Sequence, residues 1–290
     1  MIVPLRIGVI FPQTEIGADR GGVRAWTEAA AELGFDHVLI YDHVLGADVA
    51  KRPGWRGVYT HETTFHEALV VLGFMAAVAP SLELVTSVVI APQRQTALLA
   101  KQATELDLLT GGNFRLGLGI GWNEVEYEAL GERFDNRGAR FEEQIEVLRL
   151  LWREPSVTFR GRWHTIIEAG INPLPLRREI PIWIGGAAEP AIRRAARLAD
   201  GFFPQVPKGE RAAWVERLHG WLEEAGRAPE TFGLEPLANA RGSDQEAWRE
   251  VRDEWRSLGA GYLAVRAMDD GLRGPDEHVE RLRLIAEALL

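Results

Sequence analysis

Short apolar runs alternate with longer amphipathic stretches along the whole chain. The runs lie near Ile7 to Phe11, Val38 to Tyr41, Leu84 to Ile90, Phe114 to Gly119, Ile182 to Ile184, Gly201 to Phe203, Gly233 to Leu237 and Tyr262 to Arg266. Apolar residues recur at helical spacing near Gly22 to Leu33, Thr64 to Val78, Thr96 to Leu109, Arg137 to Trp152, Pro190 to Leu198, Arg211 to Ala225, Gln245 to Leu258 and Pro275 to Leu289. Strands that are apolar on both faces predict a parallel sheet covered by helices. Eight strand-helix units predict an α/β fold whose sheet closes into a single (β/α)8 TIM barrel with insertions. No low-complexity linker divides residues 1–290, so one domain is expected, with insertions at about 44–63 and 153–180. Within the second insertion, Val157 to His164 reads as a small hairpin turning at Gly161.

The stretch Leu82 to Trp122 carries the most specific pattern. Leu84 to Ile90 is apolar with Thr86-Ser87 set into it, Thr96 to Leu109 is a helix by spacing, and Gly111-Gly112-Asn113 turns into the run Phe114 to Trp122. This is one β-α-β unit, and its second strand ends in small residues that let a ligand or another backbone come close. In a barrel, chemistry belongs at the carboxyl ends of the strands. Four motifs fall there: Tyr41-Asp42-His43, Thr86-Ser87-Val88, Gly119-Ile120-Gly121-Trp122-Asn123, and Ile184-Gly185-Gly186-Ala187 before Glu189-Pro190.

These motifs, in this order and across nearly the whole chain, resemble the luciferase-like monooxygenase superfamily, and within it the oxidoreductases that use the deazaflavin coenzyme F420. The resemblance implies that Asp42, Thr86, Ser87, Val88, Gly121, Trp122, Asn123, Gly185, Gly186, Ala187 and Ala188 surround the cofactor, with His43 catalytic. It also implies a non-prolyl cis peptide at Ser87-Val88, forming a bulge behind the ring. Flavin mononucleotide (FMN) in an oxygen-activating monooxygenase is the alternative cofactor. A deazaflavin has carbon where flavin has nitrogen, so it transfers hydride and reacts poorly with oxygen. A barrel that binds cofactor or partner without turnover is a further alternative. F420-dependent sugar-phosphate dehydrogenases of this family carry a Glu immediately after the Gly-x-Gly exit and a Trp four residues past the His. Trp122 and Ala47 stand at those places, which argues against glucose 6-phosphate as substrate.

Residue chemistry supplies its own reading beside the resemblance. A His at a strand exit titrates in the range that suits proton transfer near neutral pH, whereas Asp42 reads equally well as a turn former. Gly117, Gly119 and Gly121 lack the G-x-G-x-x-G spacing of a dinucleotide site. Gly185 to Ala188 before Pro190 offers free backbone N–H groups at a helix start, the general recipe for phosphate binding, or else a tight turn. Trp122 walls the pocket or packs in a core or interface, and Asn123 bonds the ring or caps the next segment. The loop Leu45 to Thr63, with Trp55 and Tyr59, is expected to cover the site, so that His61, Glu62, His66 and Trp55 line a substrate pocket. His61 and His66 are five apart and share no helix face, so no metal site is expected. Arg94 and Pro204-Gln205 are further candidates for contacts to the ring or to the cofactor tail.

Composition narrows the partners. With 46% hydrophobic and 26% charged residues the chain has the make-up of a soluble globular protein, and a net charge of −9 argues against a nucleic-acid surface. The absence of Cys excludes disulfides, thiolate metal sites and a Cys nucleophile, and suits the cytoplasm, the expected location. No secretory signal is read at Met1 to Leu5, which Arg6 follows. Ala68 to Ala79 is short of the roughly 20 residues that span a bilayer, so no membrane partner is expected. That block has no charged residue on any side, so its outward face predicts a homodimer. The remaining expected partner is a small-molecule substrate.

Overall fold

Every one of the eight alternations forms, and the two strands that break do so at the barrel's functional end and in its charged interior. The computed structural model describes residues 5–242 and 244–290. In chain order the elements are β1 (Arg6–Ile10), α1 (Arg20–Glu32), β2 (His37–Ile40), α2 (Ala68–Val78), β3 (Glu83–Thr86), β4 (Val89–Ile90) and α3 (Thr96–Leu109). Next come β5 (Phe114–Gly119), α4 (Glu124–Ala129), α5 (Arg137–Arg153), β6 (Val157–Arg160), β7 (Thr165–Ala169), β8 (Ile182–Gly185), α6 (Glu189–Leu198) and β9 (Gly201–Phe203). The chain ends with α7 (Arg211–Glu224), β10 (Gly233–Leu234), β11 (Leu237–Asn239), α8 (Gln245–Ser257), β12 (Tyr262–Arg266) and α9 (Gly274–Leu289).

The curled sheet is parallel throughout and runs β10-β9-β8-β5-β3-β2-β1-β12-β11. Its two ends are halves of one stretch of chain. Glu235 N–H donates to Phe202 on the β9 side, whereas Pro236 accepts from Ala264 N–H on the β12 side. Proline has no N–H to continue the first ladder, so the strand predicted as Gly233 to Leu237 splits there and closes the ring. The strand predicted as Leu84 to Ile90 is also corrected to two pieces, parted by a cis Ser87-Val88 peptide. β3 pairs β2 and β5, and β4 pairs farther along β5, Val89 opposite Leu118.

Alternate strand residues point inward in layers. Ile10, Leu39, Val85, Trp183, Phe203, Ala264 and Met268 pack together inside the barrel, with Tyr41, Val88, Leu237 and Tyr262 against them. Trp183 fits because Gly201 and Gly233 leave it room; a Cβ on either would lie 2.4 or 2.2 Å from its ring. Arg115 lies between Trp183 and Tyr262, 4.4 and 4.3 Å from their ring centroids; it bonds Glu235 at 2.7 Å and forms an ion pair with Glu83 at 3.0 Å. Buried His37 completes this charged layer, its Nε2 2.5 Å from the other Glu235 oxygen.

Outside the barrel, α2 starts at Ala68 instead of Thr64, because Glu67 caps it by accepting from Val70 N–H. The insertion after α5 forms the antiparallel pair β6-β7. Glu143 of α5 accepts the backbone N–H groups of Arg162, Trp163 and His164 and the His164 ring, whose other nitrogen lies 2.7 Å from the Thr96 hydroxyl of α3.

Candidate active site

Strand β2 delivers Tyr41, Asp42 and His43 to the carboxyl end of the barrel. The His43 side chain is 11% exposed, with Nδ1 3.0 Å from Glu126 Oε1. The same carboxylate accepts Val44 N–H at 2.8 Å and, at its other oxygen, the Gln93 amide at 3.1 Å. Burial alone would raise the Glu126 pKa, but the bonds from His43, Gln93 and Val44 outweigh it and hold the carboxyl below its ordinary 4.5. The Tyr59 and Phe65 rings each lie 4.8 Å from the His43 ring, and Trp122 lies 5.6 Å away. His43, Tyr59, Phe65 and the neighbouring loop backbone line a cavity of about 300 Å³.

The bulge between β3 and β4 and the ends of β5 and β8 pack closely into a cradle. Gly119 and Gly185 lack side chains where Val88 projects from the bulge; a Cβ on them would lie 2.6 and 2.8 Å from its methyls. Gly117 admits the preceding backbone in the same way, since its Cβ would lie 1.8 Å from the Thr86 carbonyl oxygen. Beyond the cradle, Gly186 has φ +151° and Ala188 caps α6 without any side-chain hydrogen bond. No side chain caps this helix start, and Ala187 and Ala188 are exposed. The Glu189 charge next to them is matched by Arg193 at 2.6 Å.

Several predicted site residues also make internal contacts. Asp42 is 4% exposed, with one oxygen accepting from Arg94 at 2.8 Å and the other from Ile90 N–H at 3.2 Å. Both oxygens are committed, so Asp42 anchors the segment after the bulge, and Arg94 is occupied by Asp42 and Glu67. Thr86 is fully buried and donates to Gly117 O at 2.8 Å. Asn123 is 1% exposed; it caps α4 through Val125 N–H and donates to Leu45 O. Ser87, Val88, Gly121, Trp122 and Gly185 to Ala188 keep exposed surface at the barrel mouth.

The loop residues divide similarly. His61 lines the cavity, whereas Glu62 is exposed and His66 bonds Gly17 O at 3.0 Å beside Phe11. Trp55 reaches the site through Trp122, their rings 5.8 Å apart. Among the described residues, no group of three or more His, Asp or Glu is placed to hold a metal ion.

Glu126, Gln93, Phe65 and Arg266 are the residues that sequence reading left out. Arg266 is in phase with the inward residues Tyr262 and Ala264, which was the available signal. Burial pushes the Tyr41 and Tyr59 hydroxyls up, and the nearby Arg266 charge pulls both the other way. Its guanidinium is paired with Asp269.

The comparisons agree with this fold. A profile of the luciferase-like monooxygenase family matches residues 7–288. An FMNH2-dependent dimethylsulfone monooxygenase from Pseudomonas fluorescens is 30% identical over 203 residues, 69% of this chain and 51% of that protein. An F420-dependent glucose-6-phosphate dehydrogenase from Nakamurella multipartita is 28% identical over 285 residues, 88% of this chain and 80% of that protein. The chain spans about half the length of several curated relatives it matches, 56% for mycobacterial proteins 40% identical to it over 167 residues. The solved structure of the monooxygenase RslO1 from Streptomyces bottropensis shares the fold, with a TM-score of 0.80 over 98% of both chains at 21% identity. With its family profile matched almost end to end and the parallel barrel in place, the chain belongs to the luciferase-like monooxygenase family.

Proposed function

We propose that this protein is an F420-dependent oxidoreductase that moves a hydride between the deazaflavin and a compact organic substrate held against His43. The cradle carries the reading: glycines at positions 119 and 185 make room for Val88 of the bulge, which would back a planar ring, and the exposed start of α6, which no side chain caps, suits its phosphate. A deazaflavin there would supply a hydride donor or acceptor at C5, whereas FMN would supply an oxygen-reactive ring. FMN is the second reading, supported by the FMNH2-dependent relative. His43 Nε2, the ring nitrogen not held by Glu126, would give or take the substrate proton. Tyr59 and Phe65 beside it favour a small neutral substrate with an apolar body. Leucine in place of Gly186 should weaken cofactor binding at least tenfold, about 1.4 kcal/mol, in a fluorescence titration. Unchanged affinity for both F420 and FMN would remove the phosphate from this turn.

The proposed assembly is a homodimer through α2 and α3. Val70 on α2 is 69% exposed and Leu98 on α3 is 53% exposed, so these apolar residues are left uncovered by the described residues. Light scattering after size exclusion should give twice the 32.3 kDa chain mass, and Val70→Glu should shift it towards monomer. A monomer mass at micromolar concentration for the unaltered protein would contradict the dimer.

A further inference from the structure

We infer that Glu126 is a positioning residue that keeps the ring proton of His43 on Nδ1 and so presents Nε2 to the cavity as a proton acceptor. The inference rests on the reading of His43 as the proton-handling group. An ionised carboxylate only accepts hydrogen bonds, so the 3.0 Å contact between Glu126 Oε1 and His43 Nδ1 places the shared proton on the imidazole. Three further donors surround Glu126, from Val44, Leu45 and Gln93, and none of them is a cation. The carboxylate is 1% exposed and sits on a short helix pinned by Asn123 at its start and by the Tyr127 hydroxyl on Ile120 O at 2.7 Å. It therefore holds the ring from a fixed point, and by accepting Val44 N–H it also holds the backbone next to His43.

The other groups facing His43 do not compete for this role. The Asp42 carboxylate is matched by Arg94 and bonded to Ile90 N–H. Burial pushes the Tyr59 hydroxyl up, so it stays neutral, and its ring meets the imidazole edge to face. His61 lines the same cavity but bonds Ala47 O at 3.3 Å. Glu126 is the one carboxylate bonded to His43 among the described residues. The arrangement of proton acceptor, ring and orienting carboxylate is the general one for a directed base.

A free histidine side chain in water favours the opposite tautomer, with the proton on Nε2, which makes the tautomer a direct test. Apo-protein labelled with ¹⁵N is examined by long-range ¹H–¹⁵N NMR at about pH 9, where an ordinary imidazole is neutral. His43→Gln identifies the signal. The unaltered protein should show His43 protonated on Nδ1, and Glu126→Ala, which leaves no acceptor facing Nδ1, should let the proton move to the intrinsically favoured Nε2. With any substrate the protein turns over, Glu126→Ala should lower kcat at least tenfold with cofactor Kd within twofold, a split that general loosening of the fold would not give. An Nε2-protonated His43 in the unaltered protein overturns the inference even if the variant fails to fold. An unchanged tautomer in folded Glu126→Ala overturns it as well. The NMR readout needs no cofactor, so a failure of F420 and FMN to bind would overturn the functional proposal alone.

Discussion

Replacing Glu235 with Gln is expected to cost roughly 3–5 kcal/mol of unfolding free energy, the usual penalty for removing one partner of a buried ion pair. Glu235 is 1% exposed and holds both Arg115, at 2.7 Å, and His37, at 2.5 Å, inside the barrel. Glutamine keeps the shape but leaves the Arg115 charge with Glu83 alone, itself shared with Arg6 at 3.0 Å. The pH dependence has a definite sign. Burial would raise the Glu235 carboxyl, but Arg115 and His37 outweigh burial and bring it down from 4.5 to about 2. A depressed carboxyl stabilises the fold fully above its unfolded pKa, so this contribution, about 3 kcal/mol at 1.36 kcal/mol per unit, is lost as pH falls from about 4.5 towards 2. Urea unfolding at pH 7 should show the full difference between unaltered protein and variant. The gap should narrow below about pH 4.5. A variant within about 1 kcal/mol of the unaltered protein at pH 7 would show that the buried layer does not depend on this carboxylate.

The second large effect concerns chemistry. His43→Ala should lower turnover by roughly 10²-fold, about 2.7 kcal/mol of transition-state stabilisation, with cofactor affinity nearly intact. The reason is placement: the ring is held at the cavity by Glu126 and by the Tyr59 and Phe65 faces, whereas the proposed phosphate turn begins at Gly185 on a different strand. The measurement pairs steady-state kinetics on a panel of small alcohols and ketones with a cofactor titration of both proteins. Normal turnover together with lost cofactor binding would make His43 a binding residue instead.

Much of the fold was legible because the signals are local. Apolar runs and helical spacing predict all eight units, whereas the break at Pro236, a residue that cannot donate to a ladder, was passed over when Gly233 to Leu237 was read as one strand. The start of α2 was misplaced because Thr64 is a favoured cap residue and Glu67, the actual cap, is not. The short helix α4 was overlooked, although Asn123 followed by Glu126 has the spacing of a capping box. In the folded chain that Glu turns to His43, 83 positions away, a contact no local pattern announces. The same limit applies to Asp42. Its place in the motif suggested a ligand contact, but Arg94, 52 positions on, takes its carboxylate. The strand-end glycines illustrate the other case. Small residues at 117, 119 and 185 do mark a close approach, and what approaches them is the Thr86–Val88 backbone and side chain.

Titrating the purified apo-protein with F420 and, separately, with FMN tests the central claim most directly. Trp122 at the barrel mouth and Trp183 beneath it report on the cradle through their fluorescence. Saturable quenching by F420 is expected at least tenfold tighter than by FMN, a difference of about 1.4 kcal/mol. Tighter binding of FMN would contradict the F420 assignment in favour of the monooxygenase reading, and no saturable quenching by either cofactor would contradict the cofactor site itself.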